Sequence, residues 1–166
     1  MELPKRKNQR LKDYDYGQPG TYFITICTRY HKEILSQIVR DDSCDPIYDT
    51  SDNIKTLLLP CGKVVNKYIG IMNSKYPGIS IEKYAIMPNH IHLIISIKEE
   101  HQKSKDAGIT ISKFVSLYKR YCNKEIGEKI WQRSFYDHII RGQTDYNEIY
   151  EYVNNNPLKW YITHNS

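Results

Sequence analysis

The sequence predicts an α+β fold of the ferredoxin-like split βαβ type, in which an antiparallel sheet carries helices packed on one face and the chain ends in a tyrosine-bearing helix. Three observations predict it. Runs rich in β-branched and aromatic residues and runs of helical periodicity follow one another as strand, helix, strand, strand, helix, strand, helix. The two middle strands are separated only by Met87-Pro88-Asn89, a connection short enough to make them a hairpin. The 166 residues amount to about one domain, and no internal repeat or long low-complexity segment divides them, so residues 1–166 are read as a single unit.

Residues 1–20 form a basic N-terminal arm with Lys5, Arg6, Lys7, Arg10 and Lys12 ahead of the turn-forming Gly17 to Gly20. Thr21–Thr28 follows as the first core strand. Residues 37–59 are polar and broken by short apolar runs at Ile47-Tyr48 and Leu57–Leu59, which reads as a loop or a small hairpin. Pro60 suits a first helical turn, and Val64, Val65, Tyr68, Ile69 and Met72 recur at helical spacing until Pro77-Gly78. Ile79–Ile86 alternates as a strand, and the next strand runs from the histidines to about Ile97. Thr110 caps a second helix, with Ile111, Phe114, Val115, Tyr118 and Ile126 on one face and Lys113, Lys119, Arg120 and Lys124 elsewhere. Ile130–Arg141 reads as extended up to Gly142. The last helix takes Asp145 and Glu148 as its capping pair and is expected to end at Pro157.

Composition narrows the function classes. Lys and Arg number 24 against 19 acids, a net charge of +5 that is compatible with a polyanionic partner. Cys27, Cys44, Cys61 and Cys122 show neither zinc-knuckle spacing nor a disulfide framework, which fits a reducing cytoplasm. No run approaches 18 apolar residues and no apolar leader opens the chain, so neither a membrane span nor a signal peptide is expected.

The chemistry is carried by Tyr84–Ile95. On a strand, His90 and His92 project from one face and can converge on a cation, while Ile91 points into apolar packing. Taken alone, a His-x-His pair is also an ordinary surface or hydrogen-bonded feature. Tyr152 and Asn156, four residues apart, share one face of the last helix. His138 has no partner nearby in sequence and reads as structural.

Arg10–Asp15, Tyr84–His92, Trp131–Arg141 and Tyr152–Trp160 together resemble the REP-associated tyrosine transposases, within the HUH single-strand transposases. The resemblance implies that His90, His92 and Asn156 hold a divalent cation, Mg2+ or Mn2+, although the ligand types alone suit zinc equally well. It implies Tyr152 as the nucleophile in preference to Tyr121 and Tyr150. The implied substrate is single-stranded DNA carrying a hairpin, and the implied product a 5′-phosphotyrosine link with a free 3′-hydroxyl, made by a monomer or a homodimer. Arg10, Lys12, Lys113, Lys119, Arg120, Lys124, Arg133 and Arg141 are the candidate DNA-binding cations. Two other readings remain: a catalytically silent DNA-binding module, and a hydrolase whose metal activates water.

Overall fold

The computed structural model describes residues 14–41, 43 and 53–165. Arg10, Lys12, Cys44 and Ile47-Tyr48 lie outside these residues. The elements are β1 (Gly20–Cys27), β2 (Ser36–Arg40), β3 (Ile54–Leu58), α1 (Pro60–Lys75), β4 (Ile79–Ile86), β5 (His90–Ile97), α2 (Ile111–Ile126), β6 (Tyr136–Ile140) and α3 (Gly142–His164). The main sheet has the order β4-β5-β1-β6, with every neighbouring pair antiparallel. The polar stretch before α1 resolves into the small hairpin, as β2 and β3 pair with each other.

Strand alternation divides the sheet into two faces. Tyr22, Ile24 and Ile26 of β1, Ile91, Leu93, Ile95 and Ile97 of β5, and Ile79, Ile81 and Ile86 of β4 form the main core with Val65, Ile69 and Met72 of α1 and Phe114, Val115 and Tyr118 of α2. The opposite face receives α3. There Val153 packs with Ala85, Met87 and Ile94, bordered by Phe23, Ile149 and Trp160. A β-bulge between Ile81 and Lys83 adds one residue to β4, Glu82. Strict alternation is broken there, so that Ile81 and Ile86 both reach the main core while Ala85 is left opposite His92.

Local signals explain most helix ends. Pro60 occupies the first turn of α1. The Thr110 hydroxyl accepts the Lys113 N–H at 3.2 Å, and α2 ends at Gly127, whose φ of 87° suits glycine. Two expectations fail. Helix α3 starts at Gly142 rather than being capped by Asp145 and Glu148, since Asp145 lies within its first turn and accepts the Arg141 N–H at 2.8 Å. It also passes through Pro157 and continues to His164. Proline removes one backbone donor, but beyond it Trp160 packs into the second core and stacks on His164 at 4.0 Å, so tertiary contacts carry the helix onward.

Helix α1 is seated by a close backbone approach. A Cβ on Gly62 would lie 1.8 Å from the Leu35 carbonyl oxygen, and Leu35 itself donates its N–H to the Pro88 carbonyl at 3.0 Å. Gly62→Ala is expected to push α1 off this strut and destabilise the fold by about 1–3 kcal/mol, a fall in Tm of roughly 2–12 °C in a thermal melt.

Candidate active site

The site is built where β5 begins. Pairing of β1 with β5 sets Thr25 opposite His92 and Cys27 opposite His90. The hairpin connection lies at the same end, with the Met87 N–H donating to the His90 carbonyl at 2.9 Å. The two imidazoles face each other, Nε2 to Nε2, at 3.1 Å. Two nitrogens entering one octahedral coordination sphere in adjacent positions would stand about 3.0 Å apart, so both can serve one cation.

The hydrogen bonds around the pair define its protons. His90 Nδ1 lies 2.7 Å from Asn89 Oδ1, and an amide oxygen only accepts, so Nδ1 carries the proton and His90 Nε2 presents a lone pair. The proton between the two Nε2 atoms then belongs to His92, whose Nδ1 accepts from the Thr25 hydroxyl at 2.9 Å. A cation bound by both Nε2 atoms requires the His92 proton to move to Nδ1. Thr25 can follow that change, because a hydroxyl rotates between donating and accepting. Thr25→Val is expected to weaken Mn2+ binding about 10–100-fold by calorimetry, with Thr25→Ser retaining it.

Burial keeps both rings neutral. Desolvation lowers His92 to about 3, helped by the neighbouring His90, and lowers His90 to about 4, helped by His31. Neutral imidazoles are the form that binds metal. Between pH 6.5 and these depressed values, the unfolded chain takes up protons that the folded chain refuses. Stability is therefore fully present above about pH 6.5 and falls with pH through that window, by on the order of a few kcal/mol, as urea titrations of the metal-free protein should show.

Helix α3 lies over the pair. The Tyr152 ring meets the His92 ring edge-on at 5.4 Å and the Phe23 ring at 6.0 Å, while Trp160 lies 6.0 Å from His90. Asn156 is one turn from each of these aromatics and is buried on the same helix. Among the described residues no three His, Cys, Asp or Glu side chains converge; Asn156, the third ligand expected from the sequence, is buried on α3. The rival tyrosines lie elsewhere. Tyr121 stacks on Tyr68 at 5.9 Å on the α1–α2 side of the sheet, and Tyr150 stacks on Tyr146 at 6.2 Å beneath Lys83.

The basic residues fall into two groups. Lys119, Arg120, Lys124 and Arg133, together with Lys129, line a cleft of about 650 Å³ at the C-terminal end of α2. The neighbouring Gln132 N–H donates to the Cys27 carbonyl, which puts the cleft at the sheet end that carries His90. Lys119 is partly committed: its ammonium donates to the Gln132 and Arg133 carbonyls at 2.5 and 3.3 Å, and burial lowers it to about 8. Lys113 opens α2 beside Tyr16, and Arg141 follows Ile140, which pairs with Thr21. Both belong to the far end of the sheet. His138, which has no partner in its own segment, lies 3.0 Å from Asp145, whose carboxylate also accepts the Arg141 N–H at 2.8 Å in the first turn of α3.

The profile of the family described as "Transposase IS200 like" matches residues 20–156, which include both histidines, Tyr152 and Asn156. The chain belongs to the IS200-like transposase family. An uncharacterized protein of Haemophilus influenzae (strain ATCC 51907 / DSM 11121 / KW20 / Rd) is 31% identical to this family member over 93% of the chain and 89% of that protein. Its fold is shared by a solved REP-associated tyrosine transposase bound to a REP hairpin, with a TM-score of 0.58 and 21% identity over 90% of this chain and 73% of that one. Thr25, Asn89 and Trp160 border the histidine pair without having stood out as site residues in the sequence. Of these, only Asn89, adjacent to the histidines, carried a local signal.

Proposed function

We propose that this transposase nicks and rejoins single-stranded DNA at hairpin-forming sequences through a covalent link to Tyr152. The observation that carries the reading is the Tyr152 ring set edge-on against the buried His92, whose Nε2 faces that of His90 at 3.1 Å, with Asn156 one turn along. His90, His92 and Asn156 would hold a divalent cation, which when bound supplies positive charge to a phosphodiester oxygen and so reduces repulsion of an incoming nucleophile. Tyr152 Oη gives up its phenolic proton to solvent and bonds to phosphorus as the bond from phosphorus to the 3′-oxygen breaks, and the 3′-oxygen takes up a proton and leaves as a hydroxyl. The product is still a diester, so a 3′-hydroxyl can reverse the step without ATP.

The cleft lined by Arg120, Lys124, Lys129 and Arg133 supports the choice of a polyanion. A hairpin substrate is supported by the hairpin bound to the solved structure that shares the fold. The test is incubation of the protein with labelled hairpin DNA in Mn2+ or in EDTA, followed by a denaturing gel and mass analysis of the adduct peptide. A Mn2+-dependent adduct on the peptide containing Tyr152 is expected. Cleavage without an adduct would replace the reading with a water-activating hydrolase, and tight binding without cleavage with a silent binding module.

A further inference from the structure

The turn after β1 is where the backbone departs furthest from what its residues prefer. Tyr30 and His31 hold φ values of 57° and 51°, and among the described residues they are the only non-glycine positions with positive φ. Left-handed backbone of this kind is normally supplied by Gly, Asn or Asp. Burial does not compensate, since Tyr30 is 78% exposed. Such a conformation persists only where its surroundings over-determine it.

Those surroundings are the candidate active site. The Thr28 N–H donates to the Asn89 carbonyl at 2.9 Å, and the Thr28 hydroxyl points to the Lys32 and Asn89 carbonyls at 2.8 and 3.0 Å. Asn89 is also the residue whose side chain orients His90. Turn and histidine pair therefore hang on one strut. On the other flank the Arg29 N–H donates to the Ile130 carbonyl at 2.8 Å, and His31 Nε2 stands 3.3 Å from the Gln132 amide, beside the basic cleft. The Arg29 guanidinium lies 5.5 Å from the centre of the Tyr30 ring, so the ring is backed by a cation and otherwise turned to solvent.

We propose that Tyr30, backed by Arg29, is a stacking platform for an unpaired nucleobase of the strand that enters the His90–His92 site. An exposed aromatic ring on a turn whose backbone is tied to Asn89 on one flank and to Ile130 on the other suits recognition of a single strand, because every base offers a π-face and the guanidinium reinforces the stack. The inference rests on single-stranded DNA being the substrate.

The test uses a fluorescein-labelled DNA hairpin with a single-stranded tail of about ten nucleotides, together with variants carrying one abasic site at each tail position. Tyr30→Gly is expected to hold or raise Tm, because glycine relieves the left-handed strain, and to weaken binding about 5–100-fold, whereas Tyr30→Phe binds like the wild type. One abasic position should weaken binding to the wild type and make no difference to Tyr30→Gly. Equal binding by Tyr30→Gly, a fall in its Tm, or an abasic penalty common to both proteins would overturn the platform. A wild type that binds no form of this DNA would instead take down the proposed function, and the platform with it.

Discussion

Tyr152→Phe is expected to reduce formation of a covalent protein–DNA adduct by about a thousand-fold or more while leaving DNA binding and Tm unchanged. The substitution deletes one oxygen. The ring keeps its contacts with His92 at 5.4 Å and Phe23 at 6.0 Å. The change therefore isolates nucleophilicity from packing, and a denaturing gel reads it directly. Adduct formed at wild-type rate by this variant would move the nucleophile off α3's inward face. Tyr150 is the nearest alternative on that helix, but its ring is engaged with Tyr146 and Lys83.

Replacing either histidine should remove both metal binding and cleavage. His92→Ala is the sharper case. It deletes a ring that Thr25 meets at 2.9 Å and that Tyr152 and Phe23 flank, and the proposed ligand set, reduced to one imidazole and one amide, would hold a divalent cation weakly. Mn2+ titration by calorimetry should show no saturable binding, and cleavage should fall by about a thousand-fold or more. The same variant should lose part of the acid sensitivity of the fold, because the ring lowered to about 3 is gone. Saturable Mn2+ binding at wild-type strength would place the metal elsewhere. Loss of cleavage with unchanged Mn2+ affinity would leave His92 a role in positioning the strand alone.

The parts of the site legible in the sequence are those that depend on spacing within one element. His90 and His92 share a face because a strand has period two, and Tyr152 and Asn156 share one because a helix turns in about four residues. Partners from distant elements were not legible. Thr25 reaches His92 across 67 positions only because β1 and β5 pair in one particular register, and nothing in either strand alone sets that register. Trp160 arrives beside His90 only because α3 ignores Pro157, a local stop signal outweighed by packing beyond it. The bulge at Glu82 hid within a segment that alternates well enough to be read as a plain strand. The turn at Tyr30 carried no glycine or asparagine to announce its backbone. Among the basic residues, composition counted charges but could not show that Lys119 donates to backbone carbonyls while Arg120 and Arg133 remain on the cleft wall.

The two-faced construction of β5 has a consequence for how this protein tolerates change. Ile91, Leu93, Ile95 and Ile97 belong to the main core and Ile94 to the second, while His90 and His92 belong to the chemistry proposed for the site. A random library across this strand would separate the core positions, Ile94 of the second core included, from the two histidines. Clones altered at 91, 93, 94, 95 or 97 would disappear from the soluble fraction, while clones altered at 90 or 92 would accumulate as well-folded protein without activity. Lineages would therefore lose the proposed reaction and keep the scaffold in a single step.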